Sequence, residues 1–355
     1  MNQSSLRKEA TDLGKLSAAT SRMTDLWSFI QLVETSHDVK QVTDLTANFC
    51  VHSASADVQL AAMDFLGMNF YEKELQLLIQ KNKQSLHRRN RSYAHLYELI
   101  NQYQVYKLPG NEFERQISRH QADFPEAKAL ILFGRIYQHF QCHDYHAIAY
   151  YLDELQETII LIKDYFLRIM MTVRMDKLLF QYHWKRNELI IARKHSRNIL
   201  QHTYLPGQRA VQHYKMGLTF LFDDKIASFS HLAEGSKMAK QYNITCLAQL
   251  LDRQVLPIVA AHFGILHTYL TDDPHALAYI EFQLGEVDNA RKRYPKWKPE
   301  KQTAFYKYFY GLIHQNKDYL VASYHLFIRR HKDFYFSRLP MYAIQKIDND
   351  RPSTS

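Results

Sequence analysis

The histidines and cysteines of this chain do not form a catalytic or metal-binding pattern. The closest histidine pair, His143 and His146, has only Asp144 as an acidic neighbour at ligand spacing, whereas a zinc site needs three or four ligands. The three cysteines lie far apart, without a second cysteine at metal or redox spacing. The sequence also lacks the glycine-rich phosphate loops, the G-x-S-x-G nucleophile motif and the H-E-x-x-H zinc motif. It therefore predicts a protein that is not an enzyme and holds no cofactor or metal.

Basic and hydroxyl side chains near the N-terminus have a spacing that suits contact with DNA. Ala10 and Gly14 match the small residue and the turn glycine of a helix-turn-helix, and Ser17 would cap a second helix. The cations would contact phosphates, and the hydroxyl-rich face would meet a groove. The candidate DNA-binding residues are Arg7, Lys8, Lys15, Ser17, Thr20, Ser21 and Arg22. A helical hairpin packed on the next helices explains the same residues, so both interpretations remain open.

The composition predicts that an all-α protein carries these residues. The chain has 355 residues, is 46% hydrophobic and contains only 10 Gly and 9 Pro, which favours long continuous helices. Its longest apolar stretch, residues 255–266, is shorter than the roughly 18–20 residues of a membrane span. The first residues lack the apolar core of a signal peptide. We therefore expect a cytoplasmic protein without a membrane partner. The net charge of +9 suits a nucleic-acid partner.

Three helix pairs, at residues 125–156, 209–242 and 304–330, have the pattern of tetratricopeptide repeats. Each first helix contains a glycine and each second helix an alanine, and small residues that face each other allow helices to approach closely. The pairs are Gly134 with Ala147, Gly217 with Ala227, and Gly311 with Ala322. Stacked pairs of this kind form a tetratricopeptide-like solenoid, a right-handed superhelix whose concave surface commonly holds an extended peptide.

Two prolines mark further helices. Asp273 and Pro274 have the residue types of a helix N-cap and a first helical position. Pro257 falls inside a strongly periodic segment, where a proline should kink the helix because it lacks the N–H donor.

The segment from Ala304 to Ile347 is the most informative part of the chain. Its aromatic and aliphatic residues recur at helical spacing and predict three helices, with turns at residues 316–318 and 332–333. The pattern G-L-x-x-x-N-K, followed by K-D-F-x-x-x-R-L-P and Q-K-I, resembles the C-terminal end of the AimR family. These proteins are the arbitrium communication-peptide receptors of SPbeta-group Bacillus phages. The resemblance covers about residues 26–347 and is most specific over residues 279–347.

The resemblance implies a phage transcription regulator of the lysis-lysogeny decision in the cytoplasm of the bacterial host. Such a regulator binds double-stranded operator DNA as a homodimer and is released or inactivated by a short signalling hexapeptide. It also implies an N-terminal helix-turn-helix, although the segment here is shorter than the family's usual DNA-binding domain. Dimerisation would use the apolar stripe formed by Met341, Ile344 and Ile347.

The resemblance also places the hexapeptide in the concave groove. The candidate peptide-binding residues are Gln181, Arg209, Leu221, Arg253, Asp333 and Arg338. A carboxylate at Asp333 suits an arginine of the peptide, and the same side chain could instead cap a helix. Arg253 and Arg338 are candidates for the peptide's terminal carboxylate. The family's peptide-binding arginine aligns near Gly207, with Arg209 as a possible substitute, and a family asparagine is Leu218 here, which predicts a different peptide specificity.

The sequence predicts three regions: residues 1–28 as a helix-turn-helix-like DNA-binding segment, 29–347 as the repeat domain with the peptide groove, and 348–355 as a disordered tail. Two other functions remain open. One is a quorum-sensing peptide receptor of the Rap/NprR/PlcR type that acts on a protein partner. The other is a tetratricopeptide scaffold without a small ligand.

Overall fold

The computed structural model describes residue 23 and residues 25–69, 71–203, 206–268, 270–294 and 302–349. Every regular element in these ranges is a helix, which confirms the expected all-α class. The chain divides into two compact units, which we call unit 1 (Met1–Met175) and unit 2 (Asp176–Ser355). None of the described helices is both long and apolar enough to cross a membrane.

Unit 1 consists of eight described helices and the first part of a ninth. They are α1 (Leu26–Glu34), α2 (Val39–His52), α3 (Ala56–Met68), α4 (Glu72–Lys83), α5 (Arg88–Gln104), α6 (Gly110–Ile117), α7 (Pro125–Gln141), α8 (Tyr145–Ile160) and α9 (Tyr165–Lys185), the last of which contributes residues to both units.

Unit 2 contains both long helices and several short helical segments. They are α10 (Leu189–His202), α11 (Pro206–Leu218), α12 (Lys225–Gln241), α13 (Thr245–Leu250), a π-helical segment (Leu251–Val255), α14 (Leu256–His262), α15 (Pro274–Gln283), α16 (Val287–Arg293), α17 (Ala304–Ile313), α18 (Lys317–His325), a second π-helical segment (Leu326–Arg330) and α19 (Arg338–Asn349).

A recurring turn joins the helix pairs. The first helix ends at a residue with positive φ, and the next backbone N–H bonds to the carbonyl five residues back. Asn187 has φ 65° and Glu188 N donates to His183 O at 2.9 Å; Asn243 has φ 56° and Ile244 N donates to Ala239 O at 2.8 Å. Asparagine tolerates this backbone conformation better than most residues do. The repeated turn is the local reason that the chain folds into successive antiparallel helix pairs.

The three helix pairs predicted from sequence are present as α7–α8, α11–α12 and α17–α18. A Cβ atom at Gly217 would lie 2.7 Å from Leu232 Cγ, and one at Gly311 would lie 2.9 Å from the backbone N of Leu320. Both glycines therefore permit close helix approach, as expected. Their contacts are not the predicted alanines, because helix rotation rather than sequence distance selects the facing residue.

Gly134 also packs differently from the prediction. A Cβ atom there would meet Ile117 Cδ1 and lie 2.9 Å from Phe113 Cζ, and both residues belong to α6. Gly134 therefore accommodates the preceding helix α6 and not Ala147 of α8.

The first and last described helices extend across the predicted boundaries of the repeat domain, which stay predictions. Helix α1 begins at Leu26 and not after residue 28, because Asp25 Oδ1 accepts the backbone N–H of Ser28 at 2.8 Å and so caps the helix. Helix α19 continues to Asn349, two residues into the predicted disordered tail. Lys317 Nζ lies 2.7 Å from Asp348 Oδ1, and this ion pair joins the last turn of α19 to α18.

A cluster of hydrogen-bonded polar side chains is buried in the interior of unit 1. The Arg174 guanidinium pairs with the fully buried carboxylate of Asp64, and Tyr93 donates its hydroxyl to the other carboxylate oxygen. Arg174 also donates to the Tyr97 hydroxyl at 2.9 Å. Burial alone would lower the pKa of Arg174, but Asp64 and the neighbouring tyrosines raise it well above its usual value. Each charge in this cluster has a partner of opposite sign or a hydrogen bond.

Candidate functional site

An apolar pocket of about 320 Å³ lies in unit 2. Five parts of the unit supply its walls: α11 and the turn after it, the first π segment with α14, α15, α17, and the start of α19 with the turn before it. The aromatic lining residues are Tyr214, Tyr279, Phe305, Tyr308, Phe309 and Phe336. The aliphatic ones are Leu218, Leu221, Val255, Ile258, Val259 and Leu339, and the polar ones are Gln254 and His262.

Helix α17 places three aromatic rings on the pocket side. Phe305, Tyr308 and Phe309 recur at spacings of three and four residues, which puts them on one face of a helix. Thr303 Oγ1 accepts the backbone N–H of Tyr306 at 3.1 Å and fixes the start of the helix. Gly311, where α18 approaches, leaves room for the partner helix.

Contacts between rings hold the aromatic walls in place. Phe305 and Phe336 meet edge to face with centroids 5.0 Å apart, and Tyr279 and Phe309 do so at 5.2 Å. Tyr308 and Phe309 lie 4.9 Å apart in a tilted arrangement. Edge-to-face pairs are favoured because the positive ring edge meets the negative ring face. Phe305 is 40% exposed, so part of this wall is accessible to solvent.

The first π segment forms another wall. The backbone N–H of Leu256 bonds to the carbonyl of Leu251, five residues back, which widens the helix by one residue. The widened turn comes directly before Pro257, so the predicted effect of this proline on the helix takes the form of a π turn between α13 and α14. Gln254 and Val255 reach the pocket from the widened turn. Single π turns inside α-helices occur frequently at functional sites.

The described residues that line the pocket are neutral near pH 7. None of them is an aspartate, glutamate, lysine or arginine. Burial lowers the pKa of His262, against a smaller opposing effect of a hydrogen bond with the Leu221 backbone. Burial also raises the pKa of Tyr279 and raises that of Tyr308 well above its usual value. The pocket can therefore stabilise an apolar group by desolvation but offers no counter-charge to an ion.

Leu221 is the predicted peptide-binding residue that lines this pocket, where it is 6% exposed. Arg338 lies nearby in sequence to the lining residue Leu339, but its guanidinium stacks over the Phe222 ring at 4.2 Å and donates to the Tyr342 hydroxyl at 3.0 Å. Arg338 therefore already has an aromatic and a polar partner. Its predicted contact with a peptide carboxylate stays a prediction.

Asp333 acts as a cap. Its Oδ1 accepts the backbone N–H of Phe336 at 3.0 Å, and its Oδ2 accepts from Lys185 Nζ at 3.3 Å. Residues 334–337 form a turn and helix α19 begins at Arg338, so Asp333 caps the turn that carries Phe336 into the pocket wall and not the N-terminus of a helix. Asp333 is only 8% exposed. Its predicted contact with a peptide arginine stays a prediction, and that arginine would have to compete with Lys185.

The remaining predicted peptide residues lie outside the pocket lining. Gln181 is half-buried on α9. Arg209 is half-buried on α11, and its Nε atom is buried without a hydrogen-bond partner among the described residues. Arg253 pairs with Asp272 at 2.8 Å on the surface. None of these three residues lines the apolar pocket with Leu221.

The predicted dimerisation stripe lies on α19. Ile344 and Ile347 are partly buried and pack against the apolar core of unit 2, and Met341 is also half-buried. Part of this stripe therefore stabilises its own subunit. The predicted DNA-binding residues Arg7, Lys8, Lys15, Ser17, Thr20, Ser21 and Arg22 lie outside the described residues.

Sequence reasoning missed most of the pocket. Tyr279, Tyr308 and Phe336 were not among the predicted peptide-binding residues, because the sequence of one helix does not show where a neighbouring helix leaves space beside it. One available signal was α17 itself, whose residues AFYKYFYGLI are apolar or aromatic around most of the helix. Such a helix is either buried on all sides or faces a cavity.

Comparison with known proteins gives matches at two levels. The family described as AimR transcriptional regulator-like matches residues 42–346. The solved structure of selenomethionine-labelled phAimR is similar with a TM-score of 0.78 and 15% identity, over 92% of this chain and 86% of that chain. The structure of phAimR with ligand is similar with a TM-score of 0.70 and 16% identity, over 92% of this chain and 98% of that chain. At these identities the two structures show a shared fold. No curated protein sequence matches the chain.

Proposed function

Since the chain belongs to the AimR transcriptional regulator-like family, we propose that it is a transcription regulator controlled by a short peptide. In this proposal the protein binds operator DNA as a homodimer and takes part in the lysis-lysogeny decision of a phage. A signalling hexapeptide binds in unit 2 and releases or inactivates the regulator. No step requires catalysis by the protein.

The aromatic pocket is the observation that carries the peptide half of this proposal. Ligand sites are mostly apolar concavities with a few placed polar groups, and this pocket combines twelve apolar or aromatic residues with Gln254 and His262. The similar fold of a phAimR structure solved with a ligand supports a ligand-binding role for the same fold here.

The DNA half of the proposal rests on the N-terminal sequence and on charge. Residues 7–22 contain the basic and hydroxyl residues expected of a helix-turn-helix, and the chain has a net charge of +9. The family description, a transcriptional regulator, supports the same role.

Helix α19 offers a physical route from ligand to dimer. Leu339 on this helix lines the pocket, and the predicted dimerisation residues Met341, Ile344 and Ile347 lie on the same helix. A ligand that prefers one position of α19 would shift the population of that position and so change the dimer surface. Operator binding by a dimer would change with it, because both half-sites must be contacted at a fixed spacing.

Fluorescence anisotropy with labelled DNA tests the proposal. The full chain should bind operator DNA, taken from upstream of the gene that it regulates, more tightly than a scrambled duplex. Its affinity for this DNA should fall steeply as the salt concentration rises. A matched variant lacks Met1–Thr24 but keeps the helix cap Asp25; it should lose DNA binding and retain its helical circular dichroism. Equal affinity of the truncated and full chains would exclude the N-terminal segment as the DNA surface.

The oligomeric state is tested separately. Light scattering should show a dimer at tens of micromolar protein, and replacing Met341 with an aspartate should yield monomers. A monomer in the unmodified protein would contradict the dimer. If the protein binds peptide but no DNA, the receptor acting on a protein partner replaces the proposed regulator.

A further inference from the structure

We propose that the aromatic pocket of unit 2 is an anchor site for one uncharged apolar or aromatic side chain of the signalling peptide. This inference rests on the proposed peptide-sensing function and adds the chemical class of the residue that the protein selects. If it is correct, the protein discriminates most strongly between peptides at an apolar position and not at a charged one.

The lining argues against a charged anchor. An ion moved from water into a pocket without a counter-charge loses its hydration without compensation. Gln254 and His262 supply the polar lining groups apart from tyrosine hydroxyls, and neither is charged near pH 7. A lysine, arginine, aspartate or glutamate side chain would therefore be rejected, while leucine, methionine or phenylalanine would be stabilised by leaving water.

The size of the pocket argues for one part of a peptide. About 320 Å³ lies at the lower end of the roughly 300–1,000 Å³ found for small-molecule sites. A whole hexapeptide needs more room, so most of it must lie outside. The rings of Phe305 and Phe336, in edge-to-face contact, and the partial exposure of Phe305 leave aromatic surface where an incoming ring could pack.

The nearby charged candidates are already engaged in the structure. The Asp333 carboxylate accepts the backbone N–H of Phe336 and the ammonium group of Lys185. The Arg338 guanidinium stacks on Phe222 and donates to Tyr342. A charged peptide residue would have to displace one of these contacts, whereas an apolar residue entering the pocket displaces only solvent. Binding an apolar peptide residue therefore costs less free energy than binding a charged one.

Pools of hexapeptides test the anchor. In each pool one position is fixed as Phe, Leu, Arg or Asp and the other positions are mixed; the readout is the melting temperature of the full-length protein. At one position, the Phe or Leu pools should raise the melting temperature more than the Arg and Asp pools. Ligand binding stabilises the folded protein by mass action, so the order of the shifts reports the order of affinities.

Two variants with matched controls locate the effect. Ile258→Trp fills the pocket and should weaken binding of the preferred pool at least tenfold, whereas Ile226→Trp, at a residue that is 81% exposed, should not. Gln254→Glu places a carboxylate in the lining with almost no change of volume and should move the preference from Phe toward Arg. Gln241→Glu adds the same charge at an exposed position and should leave the preference unchanged.

The outcomes separate the two proposals. Apolar selectivity that depends on Ile258 and Gln254 supports the anchor. Binding of pools without an apolar preference at any position overturns the anchor and leaves peptide sensing intact. The same holds if Gln254→Glu, folded by circular dichroism, keeps the original preference. If no pool shifts the melting temperature of the unmodified protein, peptide sensing fails, and the anchor fails with it.

Discussion

Unit 1 and unit 2 differ in the side chains that line their cavities. In unit 1 a charged pair, Asp64 with Arg174, is buried among tyrosines that complete its hydrogen bonds. Two cavities of about 710 and 500 Å³ in unit 1 have charged residues in their linings, among them Glu72, Glu98 and Asp57. In unit 2 the pocket is smaller and almost wholly apolar. Charged side chains thus line the unit 1 cavities, whereas aromatic and aliphatic side chains line the unit 2 pocket.

The hydrogen-bond inventory shows the same difference. Among the described residues, the buried side-chain atoms without a hydrogen-bond partner are Asp176 Oδ2, Trp184 Nε1, Thr203 Oγ1 and Arg209 Nε, and all four belong to unit 2. Unsatisfied polar atoms and unfilled apolar space both lower stability. Such costs concentrate where a protein keeps a surface for a ligand. If unit 2 binds the peptide as proposed, unit 1 would serve as the scaffold and unit 2 as the sensor.

Breaking the buried ion pair tests the scaffold role and has the largest expected effect. Arg174→Met should destabilise the protein by about 3–5 kcal/mol, because it leaves the Asp64 carboxylate buried without its partner. Arg88→Met is the matched control: Arg88 pairs with Asp123 at the surface, and its loss should cost about 0–1 kcal/mol. Urea unfolding followed by circular dichroism measures both. Equal losses of unfolding free energy in the two variants would show that the buried ion pair stabilises the protein no more than the surface pair does.

Adding a methyl group where helices touch tests packing in the sensor unit. Gly217→Ala would place Cβ 2.7 Å from Leu232 Cγ and 3.0 Å from Ser228 O, and overpacking of this kind costs about 1–3 kcal/mol. Gly110→Ala is the control, because the nearest atom there, on Tyr103, is 3.9 Å away. A chemical denaturation curve for each variant gives the difference. A Gly217→Ala protein as stable as the control would show that α11 and α12 can separate freely.

Removing the cap at Asp333 separates its structural role from the predicted ligand role. Asp333→Ala should cost about 1 kcal/mol of stability, because the N–H of Phe336 loses its acceptor. Asp288→Ala, at a side chain that is 90% exposed, should cost almost nothing. If Asp333 also binds a peptide arginine, affinity for an arginine-containing hexapeptide should fall about ten- to a hundredfold. Melting temperature and peptide affinity are measured on the same sample.

Acid should weaken unit 2 through a histidine pair. His213 Nδ1 lies 3.0 Å from His231 Nδ1, and burial, followed by the effect of His231, lowers the pKa of His213 to about 4. Glu234 opposes this shift, and Arg209 adds to it. Because an unfolded histidine titrates near 6.5, the unfolded chain binds more protons between pH 6.5 and 4, and stability should fall as pH decreases through that window.

The variant His213→Gln should reduce this pH dependence. His52→Gln, at an exposed histidine, is the control and should leave it unchanged. Melting temperatures at pH 7, 6 and 5 provide the measurement. If the melting temperature falls equally steeply with decreasing pH in the His213 variant and in the unmodified protein, other groups cause the acid sensitivity. Solvent screening reduces this effect, because His213 is only partly buried.

Local patterns in the sequence predicted the helices well and the pocket poorly. Asp273 caps α15 as expected, because a cap depends on residues within one turn, and Asn316, predicted to lie in a turn, caps α18. The pocket instead depends on residues from Tyr214 to Leu339 meeting in space. No periodicity within one helix encodes which neighbour leaves a gap. The partner of Gly134 was mispredicted for the same reason, since it lies in the preceding helix.

The two π segments carry a consequence for alignment of this chain with its relatives. Each holds one residue more than the corresponding α-helical turn, as shown by the i to i−5 bonds at Leu256 and His331. Deleting one residue inside residues 251–255 would join α13 and α14 into an unbroken α-helix, whereas residues 326–330 follow α18 directly and end before the bend at His331. We therefore expect a single-residue gap opposite residues 251–255 in relatives that lack the widened turn. An ungapped comparison would shift every downstream contact residue by one position, about 100° around the helix.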